Sequence, residues 1–225
     1  VSLLYNQGDG TFDGLTPYAV GSWPEGIATG HFNDDALLDV VVTNKFDNNV
    51  TVLFQQEEGG FGSSLDVATD TDGGPSGVAT GDFNGDQNTD FVVVNHYIDT
   101  VSVVFGNGDG TFGAPYSLGT RGSGDRGIAV ANFDGLGGLD IAVPRMFDDM
   151  VTVLYMSSGG VHIESDTFDV GSWPERVVAG DFNGDGLVNM AVTGSGDGDV
   201  SVLYGLITGG FADYHTVAAG AGASG

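Results

Sequence analysis

A chain of 225 residues with 31 acidic against 5 basic residues, a formal charge of -26 and no Cys is too acidic to dock on nucleic acid or an anionic membrane, which need Lys and Arg, and it excludes disulfides, thiolate metal sites and Cys nucleophiles. Its 40% hydrophobic content and 14 Phe exclude an acidic disordered chain, and no apolar run approaches the roughly 18 residues of a membrane span. Two uses of the acidity remain: carboxylates that hold divalent cations, or solubility in high salt.

The chain opens on VSLLY from Val1, followed by the Gly-rich turn Gly8-Asp-Gly-Thr-Phe12. This run recurs as VTVLF from Val50, VSVVF from Val101, VTVLY from Val151 and VSVLY from Val200, with turns such as Gly108-Asp-Gly-Thr-Phe112 and Gly209-Gly-Phe211. A second motif falls between the recurrences: Gly30-His-Phe-Asn-Asp-Asp, Gly81-Asp-Phe-Asn-Gly-Asp, Ala131-Asn-Phe-Asp-Gly-Leu and Gly180-Asp-Phe-Asn-Gly-Asp, at steps of 51, 50 and 49 residues. Self-similarity at a period near 50 marks a repeat architecture.

One unit reads as four short runs, in the middle of the chain residues 76–81, 90–95, 100–105 and 115–118. The second and third are Val-rich with turn residues at both ends, and no segment shows a sustained helical period, so the runs read as strands. The fold class expected is all-β: a β-propeller of four-stranded antiparallel blades, four complete and one half. The units are a half-blade of third and fourth strands at 1–22, blades at 23–70, 71–120, 121–170 and 171–219, and a linker-like tail at 220–225. Gly77, Ala79 and Gly81 belong nearest the crowded axis, and Phe32, Phe83, Phe133 and Phe182 are expected to fill the space between blades. The half-blade leaves three expectations: residues upstream of Val1, completion by a second chain through strand addition, or closure of four blades with the half packed elsewhere. With neither an initiator Met nor a signal peptide, a mature or trimmed chain is expected.

Each loop between first and second strands is rich in Asp and Asn. In Asp181-Phe-Asn183-Gly-Asp185-Gly-Leu187-Val-Asn189, side-chain oxygens fall at positions 1, 3, 5 and 9, and Leu187 at position 7 offers its carbonyl. Alternate residues of a tight loop turn inward, so these hard oxygens converge as Ca2+ requires, and Gly supplies positive φ. The loop Asp82, Asn84, Asp86, Asn88, Asp90 is equally complete, with Gln87 where Gly is usual. The loop Asn33, Asp35, Leu37, Asp39 has His31 at position 1, and the loop Asn132, Asp134, Asp140 has Leu136 at position 5, so both sites are expected to be weaker. An EF-hand is excluded because position 12 is Val93 or Val192 rather than Glu. The competing reading is that Asp, Asn and Gly merely make turns, which is what we expect of Asn107-Gly-Asp109-Gly.

The order of these two motifs, with Phe112-Gly113-Ala114-Pro115 after the third strand, resembles the FG-GAP or VCBS-type repeat over nearly the whole chain. The resemblance implies a propeller like that of integrin α-subunits and certain fungal lectins, with calcium in several first hairpin loops. It implies carbohydrate or protein ligands at the cell surface. The family's usual count of about seven blades is not met here.

His31, His96, His162 and His215 form no HExxH, and neither a Gly-x-Ser-x-Gly elbow nor a phosphate loop is present. A chain without catalysis is therefore expected: an extracellular binding or adhesion module, or alternatively a surface-layer or filament protomer that self-associates through its half-blade. Trp23 and Trp173, in matching Gly-Ser-Trp-Pro-Glu segments, stack on sugars in the first case, although capping the gap between blades is the commoner use of such aromatics. Phe46, Tyr97 and Phe147, between second and third strands, are further candidates.

Overall fold

The computed structural model describes residues 1–122, 124, 126–212 and 214–219; the tail expected at 220–225 lies outside them. All regular elements among the described residues are strands, joined as antiparallel meanders. The half-blade pairs β1 (Ser2–Asn6) with β2 (Phe12–Pro17). The first full blade is β3 (Pro24–Gly30), β4 (Asp39–Asn44), β5 (Asn49–Gln55) and β6 (Phe61–Ala68). The second is β7 (Pro75–Gly81), β8 (Asp90–Asn95), β9 (Thr100–Val104) and β10 (Tyr116–Gly119). The third is β11 (Ala129–Ala131), β12 (Asp140–Arg145), β13 (Met150–Met156) and β14 (His162–Asp169). The fourth is β15 (Pro174–Gly180), β16 (Asn189–Gly194), β17 (Asp199–Leu203) and β18 (His215–Ala218). The all-β propeller expected from the repeat is the observed architecture.

The core lies between consecutive blades rather than inside any one of them. In the first three full blades the second strands are buried on both faces, which is why β4, β8 and β12 read as apolar runs rather than alternating ones. Phe32 packs edge-on against Phe91 and Phe112 of the next blade, and Phe133 meets Phe211 in the same way. Each such pair joins a blade to its successor. Phe182 departs from the expectation. It is 50% exposed while Phe32, Phe83 and Phe133 are buried, because among the described residues no blade follows the fourth to cover it. Val178 is exposed on the same blade, and Ile27 is exposed at the opposite end of the arc, where the half-blade brings no inner strands.

The inner strands meet backbone to backbone. A Cβ at Gly26, Gly77 or Gly127 would strike the carbonyl oxygen of Ser76, Arg126 or Glu175 respectively, each on the following blade. Register shifts near the start of β3, β7 and β15 bend these strands toward the axis. Gly77→Ala would put its Cβ 2.5 Å from the Arg126 oxygen, a backbone contact that cannot rotate away. We expect it to lower unfolding free energy by about 2 kcal/mol in urea denaturation, with no loss from the same change at Gly119, where nothing lies within 4 Å. The equivalent residue in the fourth blade is Arg176, on a strand with no described inner strand beyond it.

Candidate metal loops and the opposite aromatic face

A four-stranded meander places its connections on two faces. The loops between first and second strands lie on one, and the loops between second and third strands, with the entries into each blade, lie on the other. The acidic loops therefore crowd one face and the aromatics the other.

On the acidic face the loops fall into two kinds. Asp82 Oδ1 accepts the N–H groups of Gly85 (2.7 Å) and Asp86, and its Oδ2 accepts that of Gln87 (2.8 Å). Asp181 does the same for Gly184, Asp185 and Gly186. In both loops the Asn at position 3 accepts from the position-5 N–H and donates its own amide to that Asp, which in turn accepts from the N–H of position 7. These N–H bonds hold the carboxyls of Asp86 and Asp181 below the usual carboxylate range, the leading cause being the N–H of Asn88 and of Gly186 respectively.

The other two loops lack this arrangement. His31 puts Nδ1 2.7 Å from the Leu37 carbonyl oxygen, occupying the position-7 oxygen. Asn33 and Asp35 keep their mutual bonds. Asn132 reaches only Gly135, and Leu136 stands 77% exposed at position 5. The Asp109 turn is closed by its own bonds to Thr111.

Position 9 has a separate job. Asp90 is fully buried; Oδ2 accepts the N–H of Phe83 and Oδ1 that of Gly106, both at 2.8 Å. Asp39 bonds Phe32 and Gln55, and Asp140 bonds Phe133 and Met156, in the same manner. In the fourth blade Asn189 Oδ1 accepts from Phe182. Asp39, Asp90 and Asp140 thus latch their loops to the end of the third strand, whereas Asn189 bonds within its own loop. Burial pushes the carboxyls of Asp90 and Asp140 up to about 6, against the pull of their N–H partners, and raises that of Asp39.

The donor set of the Asp82 and Asp181 loops fits calcium in chemistry. It consists of exposed hard oxygens at alternate positions on a backbone already turned through positive φ at Gly85, Gln87, Gly184 and Gly186. Among the described residues no three His, Asp or Glu side chains gather as a ready-made metal cluster. The carboxylates point at loop N–H groups, and the Asn and carbonyl oxygens have to complete the set. Gln87 at φ 71 is strained where the matching residue is Gly186. Gln87→Gly should raise stability by roughly 0.5–1 kcal/mol, read as a shift of the urea midpoint.

The raised carboxyls give a pH signature. A folded-state value near 6, above the unfolded carboxylate value near 4, means that the folded chain takes up protons first, so stability rises as pH falls from 7 toward 5. In chelator the melting temperature should be higher at pH 5 than at pH 7. The combined Asp90→Asn and Asp140→Asn changes should flatten that difference.

On the opposite face Trp23, Phe46, Tyr97, Phe147 and Trp173 are all more than half exposed, so the two Trp residues do not cap a gap between blades. Both Trp residues sit at positive φ, 57° and 54°, where the other two blades have Gly74 and Gly124. The hairpin loop holds each in place: the N–H groups of Lys45 and Ser195 donate to the carbonyls of Trp23 and Trp173. The Trp23 ring centroid lies 5.3 Å from that of Phe46, while in the Trp173 blade the position matching Phe46 is Gly196. The sequence motif located these Trp residues but could not show their backbone strain.

The sequence pattern of the FG-GAP-like repeat matches residues 31–93 and 82–143, together half of the chain. The protein belongs to the FG-GAP-like repeat family. No curated protein matches the FG-GAP-like chain, but solved propellers do. A candidate 6-phosphogluconolactonase from Bacteroides uniformis superposes with a TM-score of 0.74 at 14% identity, over 96% of this chain and 64% of that one. A virginiamycin B lyase from Staphylococcus aureus, solved with quinupristin, gives 0.60 at 15% identity over 95% and 62%. A lectin from Agrocybe aegerita that recognises non-reducing terminal N-acetylglucosamine gives 0.64 at 17% identity over 96% and 59%. The FG-GAP-like chain thus spans less than two thirds of the length of each, and at such identities the likeness is one of fold. It nonetheless corrects the expectation of a non-catalytic chain. A lyase and a candidate lactonase are built on this fold, and a propeller assembles its site from loops of several blades, so missing linear motifs do not exclude catalysis.

Proposed function

We propose that this chain is a calcium-stabilised propeller that binds a carbohydrate or protein ligand on its aromatic face, outside the cell. The observation that carries this reading is the pair of exposed Trp residues held at positive φ where other blades use Gly. A bulky side chain in that conformation costs about 1–3 kcal/mol, and such strain persists where function repays it. Flat aromatics standing free in a rigid ring suit the apolar face of a sugar. The lectin among the structural neighbours supports carbohydrate as the ligand class. Calcium held by Asp82, Asn84, Asp86 and the Asn88 carbonyl, and by Asp181, Asn183, Asp185 and the Leu187 carbonyl, would add opposite charge to a face crowded with carboxylates, with Asp90 and Asn189 bracing the loops from beneath. Sites of this exposed kind suit the high calcium of extracellular fluid.

The test is a glycan array, including glycans with terminal N-acetylglucosamine, read with the parent chain and with Trp173→Ala. Binding should fall roughly tenfold in the variant. Equal binding by both proteins, or no glycan bound by the parent, would contradict the carbohydrate reading. A second reading, an assembling protomer, is supported by the exposed Leu4, Phe12 and Leu15 of the half-blade and by Phe182 and Val178 at the other end of the arc. It requires calcium-dependent growth in mass by light scattering, and a single monomer mass in calcium would exclude it.

A further inference from the structure

The chain has five cationic side chains: Lys45, Arg121, Arg126, Arg145 and Arg176. Two are neutralised within their own blades, Lys45 by Glu25 at 2.9 Å and Arg145 by Asp148 at 3.1 Å. Two others, fifty residues apart in sequence, line one pocket of about 250 Å³ where the inner strands converge. Its wall is formed by Glu25, Ile27 and Val78 on one side and by Arg126, Ile128 and Arg176 on the other. Neither Arg126 nor Arg176 has an ion pair among the described residues. The one acid among the described wall residues, Glu25, is already paired with Lys45. Arg126 Nε is buried and has no hydrogen-bond partner among the described residues. A buried donor left unpaired costs about 1–3 kcal/mol, a cost that a bound acceptor would remove.

Geometry brings these two residues to the axis. Gly127 lets the segment leading into β11 touch β15, where a Cβ would lie 3.0 Å from the Arg176 Cα. Arg176 is free to carry a long side chain because it occupies the one inner-strand position of this series with no described inner strand beyond it. The pocket opens among the blade entries, on the same face as Trp23 and Trp173.

We propose that the axial pocket is an oxyanion site, in which Arg126 and Arg176 bind a carboxylate or sulfate group on a molecule no larger than a monosaccharide. Guanidinium groups pair with planar or tetrahedral oxyanions through parallel N–H bonds. The volume is near the lower end of small-ligand pockets, and the two guanidinium side chains share the wall with Glu25 and with the apolar Ile27, Val78 and Ile128. On a chain of charge -26, this pocket brings two cations together beside one acid that is already paired with Lys45. The proposal stands on the axial side chains and is independent of what the Trp residues bind.

Calorimetric titration in calcium buffer with sodium glucuronate, sodium sulfate and neutral glucose tests it. Glucuronate or sulfate should bind and glucose should not. Sulfate binding would identify a site for the free anion; glucuronate binding without sulfate would identify one for an acidic sugar. Arg126→Gln and Arg176→Gln should each weaken binding about tenfold or more while melting within a few degrees of the parent. Arg121→Gln, in an exposed position beside Asp99 and Asp148, should leave binding unchanged. No binding of either anion, glucose binding as tight as glucuronate, or unchanged affinity in both axial variants would overturn the proposal.

Discussion

Asp90→Ala, measured in chelator so that no metal contributes, should lower the unfolding free energy by roughly 4 kcal/mol. Asp90 is fully buried and accepts two N–H bonds, from Phe83 seven residues back and from Gly106 sixteen residues on. Its removal strands two buried donors, each costing about 1–3 kcal/mol, and frees the loop from the third strand. Asp90→Asn should lose less, because an Asn Oδ1 can still accept one of the two N–H groups, as Asn189 Oδ1 accepts the Phe182 N–H at 2.9 Å in the fourth blade. Urea midpoints of the three proteins give the order. A loss under 1 kcal/mol in Asp90→Ala, or equal losses in the two variants, would contradict the latch.

The second large effect is the loss of calcium. A ligand at a hundredfold excess over its dissociation constant stabilises the folded state by about 2.7 kcal/mol per site. Two complete loops, at Asp82 and Asp181, give about 5 kcal/mol. For a chain of this length each kcal/mol moves the melting temperature by about 2–4 °C. Chelation should therefore lower the melt by roughly ten degrees or more. Asp86→Ala and Asp185→Ala should each remove about half of that response, and Asp35→Ala almost none, because His31 bonds the carbonyl its loop would offer a cation. A melt that ignores chelator would remove calcium from the account.

The propeller was legible in the sequence because its signals are local and repeated. The Gly-Asp-Phe-Asn segments mark the first hairpin of each blade, and the Val-rich third strands mark its centre. Strands expected at 76–81, 90–95, 100–105 and 115–118 are observed at Pro75–Gly81, Asp90–Asn95, Thr100–Val104 and Tyr116–Gly119. Elsewhere the deciding contacts are distant in sequence. Phe182 has the same motif as Phe83, but burial depends on whether another blade follows, which no motif records. The role of Asp90 as a latch depends on the Gly106 N–H, which becomes its neighbour only after three strands have formed. Arg126 and Arg176 are ordinary residues in the sequence, and they acquire meaning only when Gly127 lets their strands meet at the axis. Linear catalytic motifs are informative for folds with a single catalytic loop and much less so for a ring of loops.

We propose calcium binding at two of the four acidic loops, those of Asp82 and Asp181. It is tested most directly by counting bound calcium in a calorimetric titration of metal-free protein. Two tight sites per chain are expected, one lost in Asp86→Ala, the other in Asp185→Ala, and neither lost in Asp35→Ala. No bound calcium, or a count unchanged by both Asp86→Ala and Asp185→Ala, would contradict it.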